Sequence, residues 1–209
     1  MRARQRDLGV PEALEWIHEI APGLAGVART ARMKVKEVPL MVLGGGRWRA
    51  PEPPEGVTVR LLAPGDPALA ASGAVQYIGF ANPGTAVGAA GPDERDASAV
   101  GQSAVELDFL SERIRNGLTQ PAVAEVTGGV LAAGSHQPVG AVSAIVGVAT
   151  LPSARRHGLA GLVTARLVQD ARERGAEVVF IEAEDADVAR VYARLGFERV
   201  GTACIAEPL

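Results

Sequence analysis

Residues 152–161 bring together residue types that could hold an anion. Their sequence is PSARRHGLAG, in which Arg155, Arg156 and His157 are followed by Gly158 and by small side chains. An apolar run precedes this segment and a helical pattern follows it, so the cations and glycines lie where a strand gives way to a helix.

A helix that begins at this point offers backbone N–H groups to a ligand. Its first amides have no acceptor within the helix, and the aligned peptide dipoles add partial positive charge at the same end. Such an end binds phosphate groups, and Gly158 would let the backbone approach one closely. The alternative is that Gly158 only makes a turn while the arginines are solvated, because a short glycine-rich loop is a weak motif.

The surrounding sequence predicts the elements that position this segment. Apolar periodicity predicts helices over residues 11–32, 66–78, 105–114, 159–174 and 186–195, with a break or kink in the first of them at Pro22-Gly23. It predicts strands over residues 33–43, 57–62, 122–126, 130–133, 139–150, 178–183 and 199–206. Residues 44–56 and 81–101 are predicted as a linker and as a long irregular loop. From residue 57 onward the order of elements indicates an α/β domain around one mixed sheet.

Composition restricts the classes of partner. The chain carries 21 basic and 24 acidic residues, which gives a net charge of −3 rather than the basic balance of a nucleic-acid-binding domain. Its one cysteine, Cys204, excludes an intrachain disulfide and is typical of a reducing compartment. No apolar run resembles a signal peptide or a membrane span, so we expect a cytoplasmic protein without membrane or nucleic-acid partners.

Two motifs resemble the signature of the GNAT superfamily of N-acetyltransferases. Residues 155–160 (RRHGLA) match the pattern Q/R-x-x-G-x-G/A, and residues 192–197 (YARLGF) resemble the Y-x-x-x-G-F segment of that family. The resemblance covers roughly residues 57–206 and includes the expected order of elements. It implies an acyl-CoA N-acyltransferase fold, in which a mixed, mostly antiparallel central sheet is flanked by helices.

The same resemblance implies that acetyl-CoA is the co-substrate. No metal site is expected, because His18-Glu19 begins like a zinc-binding H-E-x-x-H motif but its fifth residue is Pro22. In this family the amides after the central strand hold the CoA pyrophosphate, and pantetheine runs along the end of that strand. Carried over by position, the residues that contact acetyl-CoA are Val148, Ala149, Thr150, Arg155, Arg156, His157, Gly158, Leu159, Ala160 and Gly161.

The resemblance also implies roles for two catalytic groups. The Val148 N–H corresponds to the donor that polarises the thioester carbonyl, and a fixed donor there stabilises the charge that develops in the transition state. Tyr192 corresponds to the tyrosine that protonates the departing thiolate. The alternative for Tyr192 is a core aromatic on an amphipathic helix.

The position of the family's usual general base carries no carboxylate in this sequence. Many members have a glutamate four residues before the position of Val148, where this chain has Ala144. Topology makes Glu182 the candidate substitute, with Glu184 beside it and Glu125 on a neighbouring strand as a weaker candidate. The alternative for Glu182 and Glu184 is a solvated strand end.

Two further groups of polar residues are candidates for the acceptor side. His136 lies in residues 134–138, predicted as a turn, where it could line an acceptor cleft or simply be exposed. Asp93, Glu94 and Asp96 hint at a cationic acceptor, although solvated loop charges are the alternative.

The sequence therefore predicts transfer of an acetyl group from acetyl-CoA to the amine of a small molecule or peptide, by direct attack in a ternary complex. Residues 56–209 form the predicted transferase domain. Residues 1–50 form a helix–strand extension, either a degenerate partner half or an arm that covers a sheet edge. A homodimer is left open. The other function classes left open are a non-catalytic acyl-CoA-binding regulatory module and a general nucleotide-binding protein.

Overall fold

An eight-stranded sheet organises the described residues, which are 2–45, 48 and 50–209 of a computed structural model. Its strands are β1 (Leu14–Ile17), β2 (Met33–Leu43), β3 (Thr58–Leu61), β4 (Gln120–Val126), β5 (Gly129–Val139), β6 (Val142–Thr150), β7 (Val178–Glu182) and β8 (Phe197–Pro208). They are ordered β1-β8-β2-β7-β6-β5-β4-β3 across the sheet. Within the described residues, β6 and β7 are the only parallel neighbours.

Helices pack on both faces of this sheet. They are α1 (Arg2–Asp7), α2 (Leu24–Thr30), α3 (Ala68–Ala81), α4 (Pro92–Val100), α5 (Ala104–Arg115), α6 (Leu159–Glu173) and α7 (Ala186–Ala193). Helix α6 packs against β4, β5 and β6 on one face, and α3 packs against β5 and β6 on the other. The predicted fold class, a mixed and mostly antiparallel sheet flanked by helices, is confirmed. Within the described residues, no helix is long and apolar enough to cross a membrane.

Helix α6 is the element whose amphipathic pattern was clearest in the sequence. Its apolar residues recur at helical spacing, and Leu162, Val163, Leu167 and Ala171 are buried against the sheet. Burying a side chain of the size of Leu contributes about 1.5 to 3 kcal/mol, so this stripe fixes the helix, and with it the helix N-terminus, against β6.

The helical pattern predicted over residues 11–32 is interrupted at Pro22-Gly23, as expected, but the prediction of helix before that break is wrong. Leu14–Ile17 forms the edge strand β1, and the helix α2 begins only at Leu24. Leu14 and Trp16 alternate with exposed residues and pack beside Ala206 of β8, so a pairing partner distant in the chain decides the local structure. Local helical spacing could not reveal that partner.

The prediction of an irregular loop over residues 81–101 is also wrong, because α4 lies within it. The Glu94 carboxylate accepts a hydrogen bond from the Gly91 N–H at 2.7 Å, which caps the helix. The buried Arg95 donates to the carbonyls of Val130 and Gly128, at 2.8 and 3.0 Å. This helix is attached by polar tertiary contacts, so it shows no apolar period in the sequence.

The N-terminal segment shares the sheet with the rest of the chain. Strand β2 was predicted with the correct ends, and it lies between β7 and β8 rather than outside the sheet. Strand β1 covers one edge by pairing with β8. The division into residues 1–50 and 56–209, and the descent of the first part from a partner half, stay predictions.

The predicted linker at 44–56 includes Gly46, Arg47 and Arg49, which lie outside the described residues. Trp48 packs against the main core cluster, and the guanidinium carbon of Arg172 lies 5.7 Å from the centroid of its ring. The described part of the linker is therefore anchored on the α6 face of the sheet.

His136 is not in a turn, so that prediction is wrong. Residues 134–138 continue β5, and the hairpin turn follows Val139. The side chain of His136 is 0% exposed and lies beneath α6, away from any acceptor cleft. The pairing of β5 with β6 extends the strand through a Gly-Ser-His-Gln-Pro sequence that locally favours a turn.

A buried polar network surrounds His136. The Nε2 atom of its ring lies 2.8 Å from Asp170 Oδ2, and its Nδ1 atom lies 2.9 Å from Ser143 Oγ. Because a carboxylate only accepts, Nε2–H donates to Asp170 and Nδ1 accepts from the serine hydroxyl, so the neutral imidazole is satisfied. Asp170 also accepts from Arg174, which in turn donates to Gln120.

We expect this network to make stability depend on pH. Burial lowers the pKa of His136 from 6.5, an effect that the hydrogen bond donated to Asp170 only partly offsets. The unfolded chain therefore binds the proton first, so the free energy of unfolding is highest above pH 6.5 and falls as the pH drops toward the lowered folded-state pKa. Chemical denaturation at several pH values measures this slope.

His136→Asn should remove most of the pH dependence of the free energy of unfolding. It should also lower that free energy by on the order of 1 to 3 kcal/mol at pH 8, because buried partners lose hydrogen bonds. His157→Asn at an exposed position is the matched control and should change neither quantity. An unchanged slope in His136→Asn would contradict the assignment of this titration to His136.

Candidate active site

A cavity of about 1080 Å³ opens beside the point where β6 and β7 stop pairing. Their parallel register runs only from Val142 opposite Val178 to Ile145 opposite Ile181. Strand β6 continues to Thr150, so residues 146–150 have no described strand partner on the β7 side and line the cavity instead. Because the strands separate, the N–H and C=O groups of β6 on that side do not form the hydrogen bonds that continued pairing with β7 would give them.

A bulge in β6 shapes this wall of the cavity. Gly147 has a φ of +64°, and the register with β5 shifts between Ala133 and Ser135. The backbone angle at this position favours glycine, and a Cβ there would lie 2.8 Å from the end of the Gln76 side chain, which would have to move aside. The bulge brings Val148 to the cavity wall, next to Ala149.

Six consecutive amides form the opposite end of the cavity. Gly158, with a φ of +76°, is the N-cap of α6, and Arg156 also has a positive φ of +70°. Among the hydrogen bonds of the described residues, the N–H groups from Arg156 to Gly161 donate to no protein acceptor. A Cβ built on Gly158 would meet nothing within 4 Å, so this cradle is open to a ligand. It has the donors and the partial positive charge that a diphosphate requires.

The cationic side chains of the segment serve the backbone rather than the cradle. The Arg155 guanidinium donates to the carbonyls of Gly79 and Ala86 at 3.2 and 3.0 Å, and burial lowers its pKa. Arg156 donates to the Thr85 carbonyl at 3.0 Å. These bonds tie the loop after α3 to the start of α6, so the amides are the groups left for an anion.

Tyr192 lies on α7 between the cradle and β7. Its side chain is 5% exposed, lines the cavity and packs edge-on against Phe197, with ring centroids 6.1 Å apart. Burial raises the pKa of the phenol, so it is a neutral donor at all physiological pH values. No acceptor for its hydroxyl is found among the described residues. Both readings of Tyr192, core aromatic and cavity donor, are therefore compatible with its position.

Glu182 lies at the end of β7 and lines the same cavity. Partial burial, together with the negative charge of Glu15, raises the pKa of its carboxyl. Ala144 also lines the cavity, so the usual base position of the resembled family presents a methyl group. Glu182 is accordingly placed near the region that the missing glutamate would serve.

The other two carboxylates considered as the base, Glu125 and Glu184, both form ion pairs. Glu125 binds Arg60 at 2.7 Å and does not line the cavity. Glu184 does line it but pairs with Lys36 at 3.5 Å. The acidic residues of α4 (Asp93, Glu94 and Asp96) do not line it, which removes the support for their role toward an acceptor.

Sequence reasoning missed two sides of the cavity. Glu15 and Lys36 reach it from β1 and β2, and Phe80 and Thr85 reach it from the end of α3. The alternation of β2 was recognised, but its place in the sheet was not, and β1 was read as helix. The alternation of apolar and polar residues over 14–17 was the sequence signal that could have predicted this strand.

Comparisons with known proteins agree with this architecture. A family model described as FR47-like protein matches residues 117–205, the part that carries β4 to β8 and the cradle. A search of curated proteins finds no match.

Solved structures match over nearly the whole chain. A GCN5-related N-acetyltransferase from Kribbella flavida is 26% identical, with a TM-score of 0.67 over 100% of this chain and 72% of that one. A GCN5-related N-acetyltransferase from Sphaerobacter thermophilus is 21% identical, with a TM-score of 0.62 over 97% and 62%. A tandem GNAT protein from the clavulanic acid biosynthesis pathway is 16% identical, with a TM-score of 0.61 over 98% and 66%. This chain thus spans about two thirds of the length of these structural relatives.

The matched family model, the shared fold and the cradle at the start of α6 all support acyl transfer as the class of reaction. The family model and the shared fold together support the assignment of this chain to the GNAT superfamily.

Proposed function

We propose that this protein transfers an acetyl group from acetyl-CoA to an amine by direct attack in a ternary complex. The observation that carries the proposal is the run of six unpaired amides from Arg156 to Gly161, beside an open cavity. These amides would bind the CoA diphosphate, and the freed edge of β6 at residues 148–150 would run beside pantetheine. Backbone donors suit a diphosphate because they are fixed before the ligand arrives.

The donor end of the reaction uses groups of β6 and α7. The amine nitrogen attacks the thioester carbonyl carbon, and the Val148 N–H stabilises the oxyanion that forms on the carbonyl oxygen. The carbon–sulfur bond then breaks, and the electron pair leaves on sulfur. Tyr192 donates a hydrogen bond to that sulfur and passes it a proton, which water later replaces. Its raised pKa keeps the proton on the phenol until negative charge appears on sulfur.

The acceptor end uses Glu182 as general base. An ammonium ion cannot attack a carbonyl, so one proton must leave the nitrogen before or during the attack. A carboxyl with a raised pKa is a better base than an ordinary glutamate, because its basicity lies nearer to neutral pH. This assignment also provides a carboxylate in place of the glutamate that many family members have at the position of Ala144.

The acceptor is proposed to be a small-molecule or peptide amine in the cytoplasm, and the buried free thiol of Cys204 is compatible with that compartment. A homodimer stays open.

The second candidate function is a non-catalytic acyl-CoA-binding module, which the methyl group of Ala144 in the base position favours. Release of free CoA thiol from acetyl-CoA in the presence of an amine panel distinguishes the two, because the module binds without turnover.

Gly158→Glu tests the cradle. The new carboxylate would repel the diphosphate, and loss of charge-assisted hydrogen bonds should weaken acetyl-CoA binding about a hundredfold or more, measured by calorimetry. Gly175→Glu is the matched control, because Gly175 ends the same helix with a φ of +91° and open space at its Cβ. Equal affinity in the two folded variants would refute the cradle.

Tyr192→Phe tests the acid. Removal of one hydroxyl should lower kcat by about a hundredfold with little change in acetyl-CoA affinity, because the group acts on the leaving sulfur. Tyr77→Phe changes the other tyrosine of the chain, which is 71% exposed on α3, and should leave kcat unchanged. Full activity of Tyr192→Phe would remove this residue from the mechanism.

Glu182→Gln tests the base. In the unchanged protein kcat/KM should fall as the pH drops below the raised pKa of Glu182, because the protonated carboxyl cannot accept a proton. The variant should lose about a hundredfold in kcat/KM and no longer show that limb. Glu177→Gln, at an exposed position before β7, serves as the control. A retained limb in Glu182→Gln would assign the base to another group.

A further inference from the structure

We infer that the C-terminal end of α3 positions the part of β6 that carries Val148, and that Gly79 and Arg155 hold it there. Both are positioning residues, because they would act on the thioester through the backbone of β6. The inference rests on the proposed function, in which the Val148 N–H stabilises the oxyanion. It gives α3 a part in the transfer step that is separate from the binding of acetyl-CoA.

Helix α3 lies directly on β6 at Gly79. A Cβ built on Gly79 would lie 2.6 Å from the Cβ of Ala149, whereas ordinary contacts of a Cβ begin at 3.4 Å. The Cβ of an alanine cannot rotate away, so a larger residue at position 79 would have to move the backbone of α3 or of β6. Glycine at this position therefore sets how closely the helix approaches the strand.

Val148, the residue before Ala149, is held from the opposite face of the sheet. Successive side chains of a strand point to opposite faces, so Val148 points toward α6 while Ala149 points toward α3. A Cβ built on Gly134 of β5 would lie 3.0 Å from Val148 Cγ2. The same point lies 3.2 and 3.3 Å from Val163 and Leu167 of α6. Two consecutive residues of the cavity wall are thus fixed by a helix on each face.

Arg155 joins α3 to β6 by hydrogen bonds at the same place. Its Nη2 atom donates to the Gly79 carbonyl at 3.2 Å, and its Nε atom donates to the Thr150 carbonyl at 3.4 Å. The residue four positions after Gly79 is Pro83, which has no N–H to continue the helical pattern. A guanidinium offers several donors in fixed directions, so one side chain connects the end of α3 to the end of β6.

These contacts affect the transfer step because the geometry of an oxyanion donor is strict. Such a donor acts at about 2.7 to 3.1 Å from the position of the oxyanion. A displacement of about 1 Å can lower a rate about a hundredfold. The CoA diphosphate would bind at the start of α6, several residues further along the chain. A shift of residues 148–150 should therefore change kcat more than the affinity for acetyl-CoA.

Gly79→Ala tests the contact between α3 and β6. The added methyl group should displace the wall at Ala149 and lower kcat about ten- to a hundredfold, measured with the amine of the panel that is turned over fastest. Acetyl-CoA affinity, measured by calorimetry, should stay close to that of the unchanged protein. Loss of folded protein would instead lower the number of binding sites, which the same titration counts.

The double variant Gly79→Ala/Ala149→Gly moves the methyl group from the strand to the helix. It removes the atom that the new Cβ would meet, and the next nearest atoms, the Cα of Ala149 and the N of Thr150, lie 3.6 and 3.7 Å away. We expect it to recover most of the kcat that Gly79→Ala loses. Two independent effects would add instead of cancelling.

Gly73→Ala is the matched control on the same helix. It makes the same gain in helix propensity as Gly79→Ala. The nearest neighbours of its Cβ are atoms of the flexible Gln102 side chain, and neither residue lines the active-site cavity. This variant should keep the kcat of the unchanged protein, whatever its melting temperature.

The carbonyl of bound acetyl-CoA gives a readout that needs no acceptor. A hydrogen bond from the Val148 N–H polarises this carbonyl and lowers its stretching frequency, which infrared spectroscopy of acetyl-CoA labelled with ¹³C at the carbonyl detects. We expect a lowered frequency in the unchanged protein, loss of most of the shift in Gly79→Ala and its return in the double variant. A change in stability alone would not move this frequency in folded, saturated protein.

Arg155→Lys tests the second contact and does not depend on the folding of Gly79→Ala. Lysine keeps the charge but cannot reach two carbonyls with a planar fork. Loss of one such hydrogen bond should lower kcat about tenfold, with acetyl-CoA affinity retained. Weaker affinity with unchanged kcat would mean that Arg155 acts on CoA itself, and would overturn its role as a positioning residue.

The outcomes separate the inference from the proposed function. If the unchanged protein does not bind acetyl-CoA, the proposed function fails. If it acetylates amines, but Gly79→Ala keeps its kcat or its carbonyl frequency, or the double variant recovers neither, the inference is overturned while the function stands. If acetyl-CoA is bound without turnover, the proposed catalysis fails and the carbonyl frequency decides the inference. A frequency in the unchanged protein equal to that of free acetyl-CoA also overturns it.

Discussion

The separation of β6 from β7 is the constraint on which the site depends. A parallel pair that continued to Thr150 would use its amides and carbonyls within the sheet. Pairing stops at Ile145, and the bulge at Gly147 turns the next residues toward the cavity. The helix that follows β6 then begins with its own unpaired amides at the same opening. The free groups of β6 result from the end of its pairing with β7, whereas the free amides of α6 are those that every helix N-terminus has.

The division of labour between backbone and side chains was not apparent from the motif. Arg155 and Arg156 look like phosphate ligands in the sequence, but their guanidinium groups bind the carbonyls of the loop after α3. They hold a wall of the cavity, and under the proposed function the anion would be bound by the fixed N–H groups. A backbone donor loses no rotamer freedom when a ligand binds, whereas an extended arginine does. Anion binding by these amides would therefore depend on donors that are already in position rather than on the positive charge of the arginines.

The N-terminal segment is part of the same sheet as the cradle. Strand β2 separates β7 from β8, so removal of residues 33–43 would leave two unsatisfied strand edges in the middle of the sheet. The same segment contributes Glu15 and Lys36 to the cavity floor. Stability and the acceptor side of the cavity are thus coupled through one pairing pattern.

The local sequence pattern was sufficient to predict the elements that have a strong hydrophobic period and partners close in sequence. The amphipathic α6, the apolar β6, the β4–β5 hairpin and the glycine at the start of α6 could all be predicted from the chain alone. Residues 11–32, 81–101 and 134–138 could not, because their structures depend on β8, on the Arg95 contacts and on β6 respectively. The sequence by itself determined the fold class and the start of α6 at Gly158, since both follow from short-range periodicity and helix-terminus chemistry. Only the tertiary structure decided that Glu15 and Lys36 of the N-terminal segment line the same cavity as Glu182, because strand pairing joins residues that are far apart along the chain.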